Sequence, residues 1–177
     1  MSQTFTISNR NIASQFTMHQ AKVEHTSDIL ALLVESAKWL QSKGSTQWNA
    51  LLDGVDSHNT EVAIQRGDVF ICKDGEEIAG MVMLLTQPSE WDRQLWGPKA
   101  NRNDGAIYLH RLAIRRKYAN CKLGESILNW CYDSISFEGK EMIRLDCVAN
   151  NEHLNQFYRR NGYTYLGEKN GYSLYEK

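Results

Sequence analysis

The sequence predicts an α/β (α+β) fold: a central mixed, mostly antiparallel β-sheet of about seven strands with helices on both faces. Two observations carry this prediction. The turn dipeptides Asp74-Gly75 and Asn170-Gly171 each sit between β-rich runs and so mark hairpins. Between those hairpins, apolar spacing alternates between period two and helical period in the order strand, helix, strand, helix, strand.

Taken in order, residues 1–15 are polar and read as a loosely held N-terminal arm, with a single domain over residues 16–177. Phe16 to Val23 alternates as a strand. A helix follows, with Thr26 or Ser27 as its cap, Asp28 in its first turn and Ile29, Leu32, Leu33, Ser36, Ala37 and Leu40 on one face, stopping at Gly44. A shorter helix spans about Asn59 to Arg66. Val69–Cys72 and Ile78–Leu85 form the first hairpin, and Thr86 to Gly105, which holds both prolines, reads as a long surface loop. Ile107–Ile114 is a strand, Gly124–Ile135 a helix, Met142–Val148 a buried strand and Asn151–Asn161 a helix closed by Gly162. Tyr163–Leu166 and Tyr172–Tyr175 make the last hairpin.

With 42% hydrophobic and 23% charged residues, the composition is that of a folded water-soluble domain. A formal net charge of −1 gives no global field for nucleic acid or an anionic membrane, so any anion site must be local. Cys72, Cys121, Cys131 and Cys147 lack CxxC spacing, which predicts reduced thiols, no metal and a cytoplasmic location. No run is apolar and long enough for a signal peptide or a membrane span. A homodimer is left open.

The strand from Ile107 to Ile114 is irregular. Its aliphatic residues are odd-numbered at Ile107 and Leu109 and even-numbered at Leu112 and Ile114. A β-bulge near His110-Arg111 would absorb the slip and leave backbone groups free for a ligand; a strand covered on both faces would need no bulge. The turn that follows, Arg115 to Gly124, carries Arg115, Arg116, Lys117 and Lys122 before a helix start, which suits an anion; a solvated basic face is the plainer alternative.

YLHRLAI, the basic turn RRKYANCKLG and the Gly124 helix together resemble the coenzyme A motif of the GNAT N-acetyltransferase superfamily, in its bacterial single-domain form. The resemblance implies acetyl-coenzyme A as cofactor, pantetheine along a bulged strand and a pyrophosphate wrapped by the loop. In that loop Ala119 falls where the family has Arg or Gln, Lys122 where it has its first Gly, and Gly124 where it has its last. The cofactor-binding residues implied are Leu112, Ala113, Ile114, Arg115, Ala119, Asn120, Cys121, Lys122, Leu123, Gly124 and Glu125, joined by Asn151 and Tyr158 from the second half. There, LDCVANNEHLNQFYRRNGY is similar to the family's strand, Asn, helix and Tyr segment.

The implied function is transfer of an acetyl group to a primary amine by direct attack, with a non-catalytic acyl-coenzyme A sensor as the alternative. Tyr158 would protonate the departing thiolate and His110 would serve as base, Tyr108 being a poorer one. Backbone N–H groups around Leu112 to Ile114 would hold the oxyanion. Trp39, Trp48, Trp91 and Trp96 are available to line the acceptor site, whose occupant, a small molecule or a peptide amine, is left open. Asn120 can tolerate a left-handed conformation, and Lys122 could itself reach a phosphate.

Overall fold

The computed structural model describes residues 4–177. Within the segment expected to be an arm, β1 (Phe5–Ile7) and β2 (Asn11–Ala13) are strands, each paired with a distant or following partner; residues 1–3 lie outside the described residues. The rest follows as β3 (Phe16–Gln20), α1 (Thr26–Ser42), α2 (Asn49–Leu52), α3 (Thr60–Arg66), β4 (Val69–Asp74), β5 (Glu77–Leu85) and α4 (Glu90–Trp96). The second half contains β6 (Ala106–Ile114), α5 (Leu123–Asp133), β7 (Ile135–Phe137), β8 (Met142–Val148), α6 (Glu152–Arg160), β9 (Thr164–Lys169) and β10 (Tyr172–Glu176).

Eight strands form one sheet in the order β2-β3-β4-β5-β6-β8-β10-β9, and β1 pairs with β7 separately. Every neighbouring pair is antiparallel except β6 with β8. One apolar cluster, beneath α5 and α6, takes Phe70, Ile107, Leu109, Ile127, Leu145 and Tyr158. The other, beneath α1 to α4, takes Ile29, Leu33, Met81, Met83, Trp96 and Tyr108.

Two local expectations need correction. The α1 start is not capped by Thr26 or Ser27: His25 Nδ1 accepts the Lys22 N–H at 2.9 Å, and the Thr26 hydroxyl donates to Val23 O at 2.6 Å. Residues 86–105 are not all loop, because α4 lies within them. Ser89 Oγ accepts the Asp92 N–H at 3.2 Å and Asp92 Oδ2 accepts the Ser89 N–H at 2.8 Å, a reciprocal cap that starts the helix. Leu95 and Trp96 then bury its inner face.

In the final hairpin, Asn170 (φ 53°) and Gly171 (φ 85°) are both left-handed, as a two-residue turn of the type that matches strand twist requires. Among the described residues no helix is long and apolar enough to cross a membrane.

Gly80 shows how tightly the sheet centre is built. A Cβ there would sit 2.9 Å from Cδ1 of both Ile114 and Ile127 and 3.0 Å from Ala113 O. Gly80→Ala is therefore expected to lose about 1–3 kcal/mol of stability, read as a lower urea midpoint. An unchanged midpoint would mean that β5, β6 and α5 separate there at no cost.

Candidate active site

The site begins with the bulge. Met81 pairs with Ala113 and Met83 with His110, so Arg111 and Leu112 together oppose Val82. Arg111 carries the extra residue's conformation at φ 53°. The consequence is visible in the packing: Ile107, Leu109, Leu112 and Ile114 all face the cluster beneath α5 and α6 despite their change of parity.

Beside the bulge the sheet opens. The parallel pairing of β6 with β8 consists of Ala106↔Met142, Ile107↔Ile143 and Tyr108↔Arg144, and goes no further. Beyond that rung β8 continues with β10, while β6 continues with β5. The Arg115 N–H donates to Ala79 O at 2.9 Å, so alternation along the strand turns the Ile114 N–H toward the edge that β8 has left.

On the α5 side of this opening lies Tyr158, 7% exposed and packed among Phe157, Tyr163 and Tyr175. Its hydroxyl has no hydrogen-bond partner among the described residues. Burial first, then nearby Cys147 and Asp146, push its pKa up, so it holds its proton. Asn151 caps α6 through Oδ1, which accepts the Leu154 N–H at 3.0 Å. Asn155, which sequence reasoning missed, donates from Nδ2 to Asn151 O (2.8 Å) and Val148 O (3.2 Å) and accepts from the Tyr175 hydroxyl (2.6 Å), fixing α6 to the end of β8.

On the opposite face lies His110. Its Nε2 hydrogen-bonds to Asp92 Oδ2 at 3.1 Å and lies 2.9 Å from Oδ1 of the same carboxylate, an oxygen that is buried without a hydrogen-bond partner. With Nε2 carrying that proton, Nδ1 is the free basic atom. Burial alone would lower the His110 pKa; the hydrogen bond and charge of Asp92, helped by Asp146 and opposed by Arg111, raise it above 6.5 instead. Asp92 is held below the usual carboxylate range because His110 and Ser89 outweigh its burial.

Asp146 completes the cluster. Two residues past the last paired rung on each strand, His110 and Asp146 face one another, and with Asp92 their donor atoms lie within 4.8 Å of one another. That spacing would suit a small cation. Asp92 Oδ2 accepts from Ser89 and His110 while its buried Oδ1 has no hydrogen-bond partner, and Asp146, nearer the opening, is bonded to Trp91 Nε1 at 3.2 and 3.3 Å. Asp92 and Asp146 were not foreseen. The signal for Asp92 was Ser89 three residues earlier; nothing marked Asp146 within an apolar strand.

The tryptophans separate. Trp91 belongs to this cluster, packing edge-to-face on Tyr172 at 4.8 Å. Trp96 is buried against Tyr108 and Arg144, Trp48 packs on the α1-side core, and Trp39 lies under the Arg116 guanidinium at 3.9 Å. Tyr108 is no base either: its hydroxyl donates to Asp104 and accepts from Arg144, and burial raises its pKa.

The basic turn is less free than it reads. Arg115 Nε donates to Ile78 O at 2.8 Å, Arg116 stacks on Trp39, and Lys117 pairs with Glu77 at 2.6 Å. Among the described residues only the Lys122 ammonium of the four is unpartnered. Residues Arg116–Cys121, including Ala119, Asn120 and Cys121, form a 3₁₀ turn, and the left-handed residue is Lys122 (φ 52°) rather than Asn120. Lys122 keeps this conformation at a cost of about 1–2 kcal/mol. The first intrahelical bond of α5 runs from the Ser126 N–H to Lys122 O, so the N–H groups of Leu123, Gly124 and Glu125 precede the ladder and are available to an anion.

A sheet splayed at a bulged strand, with helix N–H groups at its mouth, is the architecture of acyl-group transferases built around this motif. Residues 33–163 match the acetyltransferase (GNAT) family, and the chain belongs to that family. It is 47% identical to the uncharacterized N-acetyltransferase YesJ of Bacillus subtilis (strain 168), over 98% of this chain and 96% of that protein. A GNAT-family acetyltransferase crystal structure from Listeria monocytogenes 4b F2365 superposes with a TM-score of 0.77 at 34% identity, covering 92% of this chain and 94% of that one. The PaiA N-acetyltransferase of Thermoplasma acidophilum, crystallised with coenzyme A, shares the fold at a TM-score of 0.68 and 15% identity, over 93% and 99%. The chain is an acyltransferase of the GNAT type.

His58 stacks on His110 with centroids 4.6 Å apart, and burial, then the charges of His110 and Arg111, depress its pKa from 6.5 to about 3. The unfolded chain therefore takes up this proton near pH 6.5 and the folded chain only near 3. His58 stabilises the fold above pH 6.5, and that contribution is lost as pH falls toward 3. Urea midpoints between pH 7 and 4 should fall less steeply for His58→Asn than for the native chain; equal slopes would remove His58 as a source of acid sensitivity.

Proposed function

We propose that this acyltransferase moves an acetyl group from acetyl-coenzyme A to a primary amine by direct attack, with His110 as base and Tyr158 as acid. One observation carries the reading. The unpartnered Tyr158 hydroxyl and the Asp92-held His110 stand on opposite faces of the sheet at the one point where β8 leaves β6.

The residues suit the cofactor. The exposed edge of β6 from Leu112 through Ala113 to Ile114 offers the peptide-like pantetheine arm a strand to pair with. The N–H groups of Leu123, Gly124 and Glu125, with the Lys122 ammonium, offer the diphosphate its donors. Asn151, its Oδ1 engaged as a cap, keeps its side-chain NH₂ for the arm. Arg115 has its side chain tied to Ile78 and 3.6 Å from Glu35, its N–H donated to Ala79 O and its carbonyl accepting the Tyr118 N–H, so it shapes the turn rather than reaching the diphosphate.

Chemistry then divides between the faces. An alkylamine with a pKa near 10.4 must first lose a proton, and His110 Nδ1 takes it. The Ile114 N–H holds the charge that develops on the thioester oxygen. Tyr158, kept protonated by burial, gives its proton to the departing thiolate as charge builds on the sulfur.

Acetyl-coenzyme A should raise the melting temperature, and thiol release should follow when amines are added. Stabilisation without turnover by any amine would instead favour a non-catalytic acyl-coenzyme A sensor. Tyr158→Phe is expected to lower kcat by about 10²-fold or more with little change in stabilisation by the cofactor.

The pH profile tests the base. His110 is faced by Asp92, Asp146, Arg111 and His58, and kcat/KM should rise with pH through a midpoint above 6.5. In Asp92→Asn the larger raising influence is gone and only that of Asp146 is left against burial, so the midpoint should move down. A midpoint unmoved by that change would discard His110 as base.

A further inference from the structure

Resting on the acetyl-transfer reading, we propose that Asp146, with Trp91 and Tyr172, is the ammonium-binding subsite of the acceptor, and that the acceptor is an aliphatic amine without an adjacent carboxylate. The argument starts from charge. Arg111 meets Asp56 at 2.8 Å and Thr60 at 3.2 Å through Nη1, with its buried Nε left unpartnered, and His110 answers Asp92. Arg144, two residues before Asp146 on β8, is committed to Glu176, Asp104 and Tyr108. Asp146 has no cationic side chain paired with it among the described residues. It is nonetheless half-buried at the opening, and burial raises its pKa.

Burial disfavours the Asp146 charge, the neighbouring His110 offsets it only while protonated, and a ligand ammonium would offset it when the imidazole is neutral. The Trp91 N–H orients the carboxylate at 3.2 and 3.3 Å, and the Trp91–Tyr172 pair adds ring surface that attracts a cation. Asp146 thus receives the ammonium beside His110, whose Nδ1 removes one proton. The N–C bond forms as the C–S bond breaks. The thiolate takes the Tyr158 proton, which solvent restores, the amide nitrogen sheds its second proton to solvent, and His110 releases the first to solvent, so one proton is set free per turnover. An α-carboxylate on the acceptor would be repelled by Asp146 and Asp92.

The test is steady-state kinetics of the native chain and Asp146→Asn with butylamine, 1,4-diaminobutane, norleucine and an arylamine that is neutral at pH 7, each protein checked for cofactor-induced thermal stabilisation. The native chain should prefer the alkylamines to norleucine. Asp146→Asn should raise KM for the alkylamines by about 30-fold or more and narrow that preference, while KM for the arylamine and stabilisation by acetyl-coenzyme A stay within about twofold. Trp91→Phe, which keeps a ring but frees the carboxylate, should raise the same KM values by a smaller factor.

Native preference for norleucine, an unchanged alkylamine KM in Asp146→Asn, or an equal loss with the arylamine would each overturn the proposal. So would loss of turnover on EDTA treatment with recovery on adding zinc, since the carboxylates would then serve a metal. If the native chain is stabilised by acetyl-coenzyme A but acetylates no amine, the acetyl-transfer reading fails and this inference with it. If it acetylates amines but Asp146→Asn does not discriminate, only this inference fails.

Discussion

Three rungs of parallel pairing between β6 and β8, ending at Tyr108↔Arg144, are the constraint on which the rest depends. Had the ladder continued, β6 would have had no free edge and His110 and Asp146 would have been neighbours inside a closed sheet. Because it stops, both lie at a mouth. The buried rungs below it are fastened by side chains as well: Arg144 donates to the Tyr108 hydroxyl (2.9 Å), Lys99 O (3.0 Å) and Glu176 (2.9 Å). This network is placed where the strands must stay together, one residue pair before they part.

The two faces of the sheet hold chemistry of opposite kinds. On the α5 side Tyr158 sits among aromatic rings with its proton retained by burial. On the α4 side carboxylates surround an imidazole and raise its proton affinity. A group that should give a proton is kept from ionising, and a group that should take one is made more basic. The sheet separates them, so neither neutralises the other, and the mechanism proposed above has both act at the opening.

How much of this was legible in the sequence varies with the kind of signal. The bulge could be read because a buried face imposes parity, and Ile107, Leu109, Leu112 and Ile114 break it visibly. The hairpin turns and the α3 and α6 caps could be read because Asn and Gly do local work there. Helix α4 was hidden among prolines and polar residues, although Ser89 and Asp92 formed its cap signal. Asp146 was hidden for another reason: its partner Trp91 lies 55 residues away, and period-two spacing does not reveal a carboxylate's cross-chain partner. The basic turn misled in the opposite direction. Charge in sequence says nothing of where a long side chain ends, and three of those four cations end on Ile78, Trp39 and Glu77.

The bulge also does more than open an edge. Arg111 is left-handed and buried, a conformation that costs free energy in a residue with a side chain, and it persists because its guanidinium is held by Asp56 and Thr60. Asp56 in turn accepts the backbone N–H groups of His58 (3.3 Å) and Thr60 (2.7 Å), so the connection between α2 and α3 is gathered onto the irregular point of β6. That same connection lays the His58 ring against His110 at 4.6 Å. One strained residue therefore links two features, a strand edge freed at the bulge and a covered imidazole on the α4 face. The backbone geometry of the bulge thereby sets the surroundings of His110, the base proposed above.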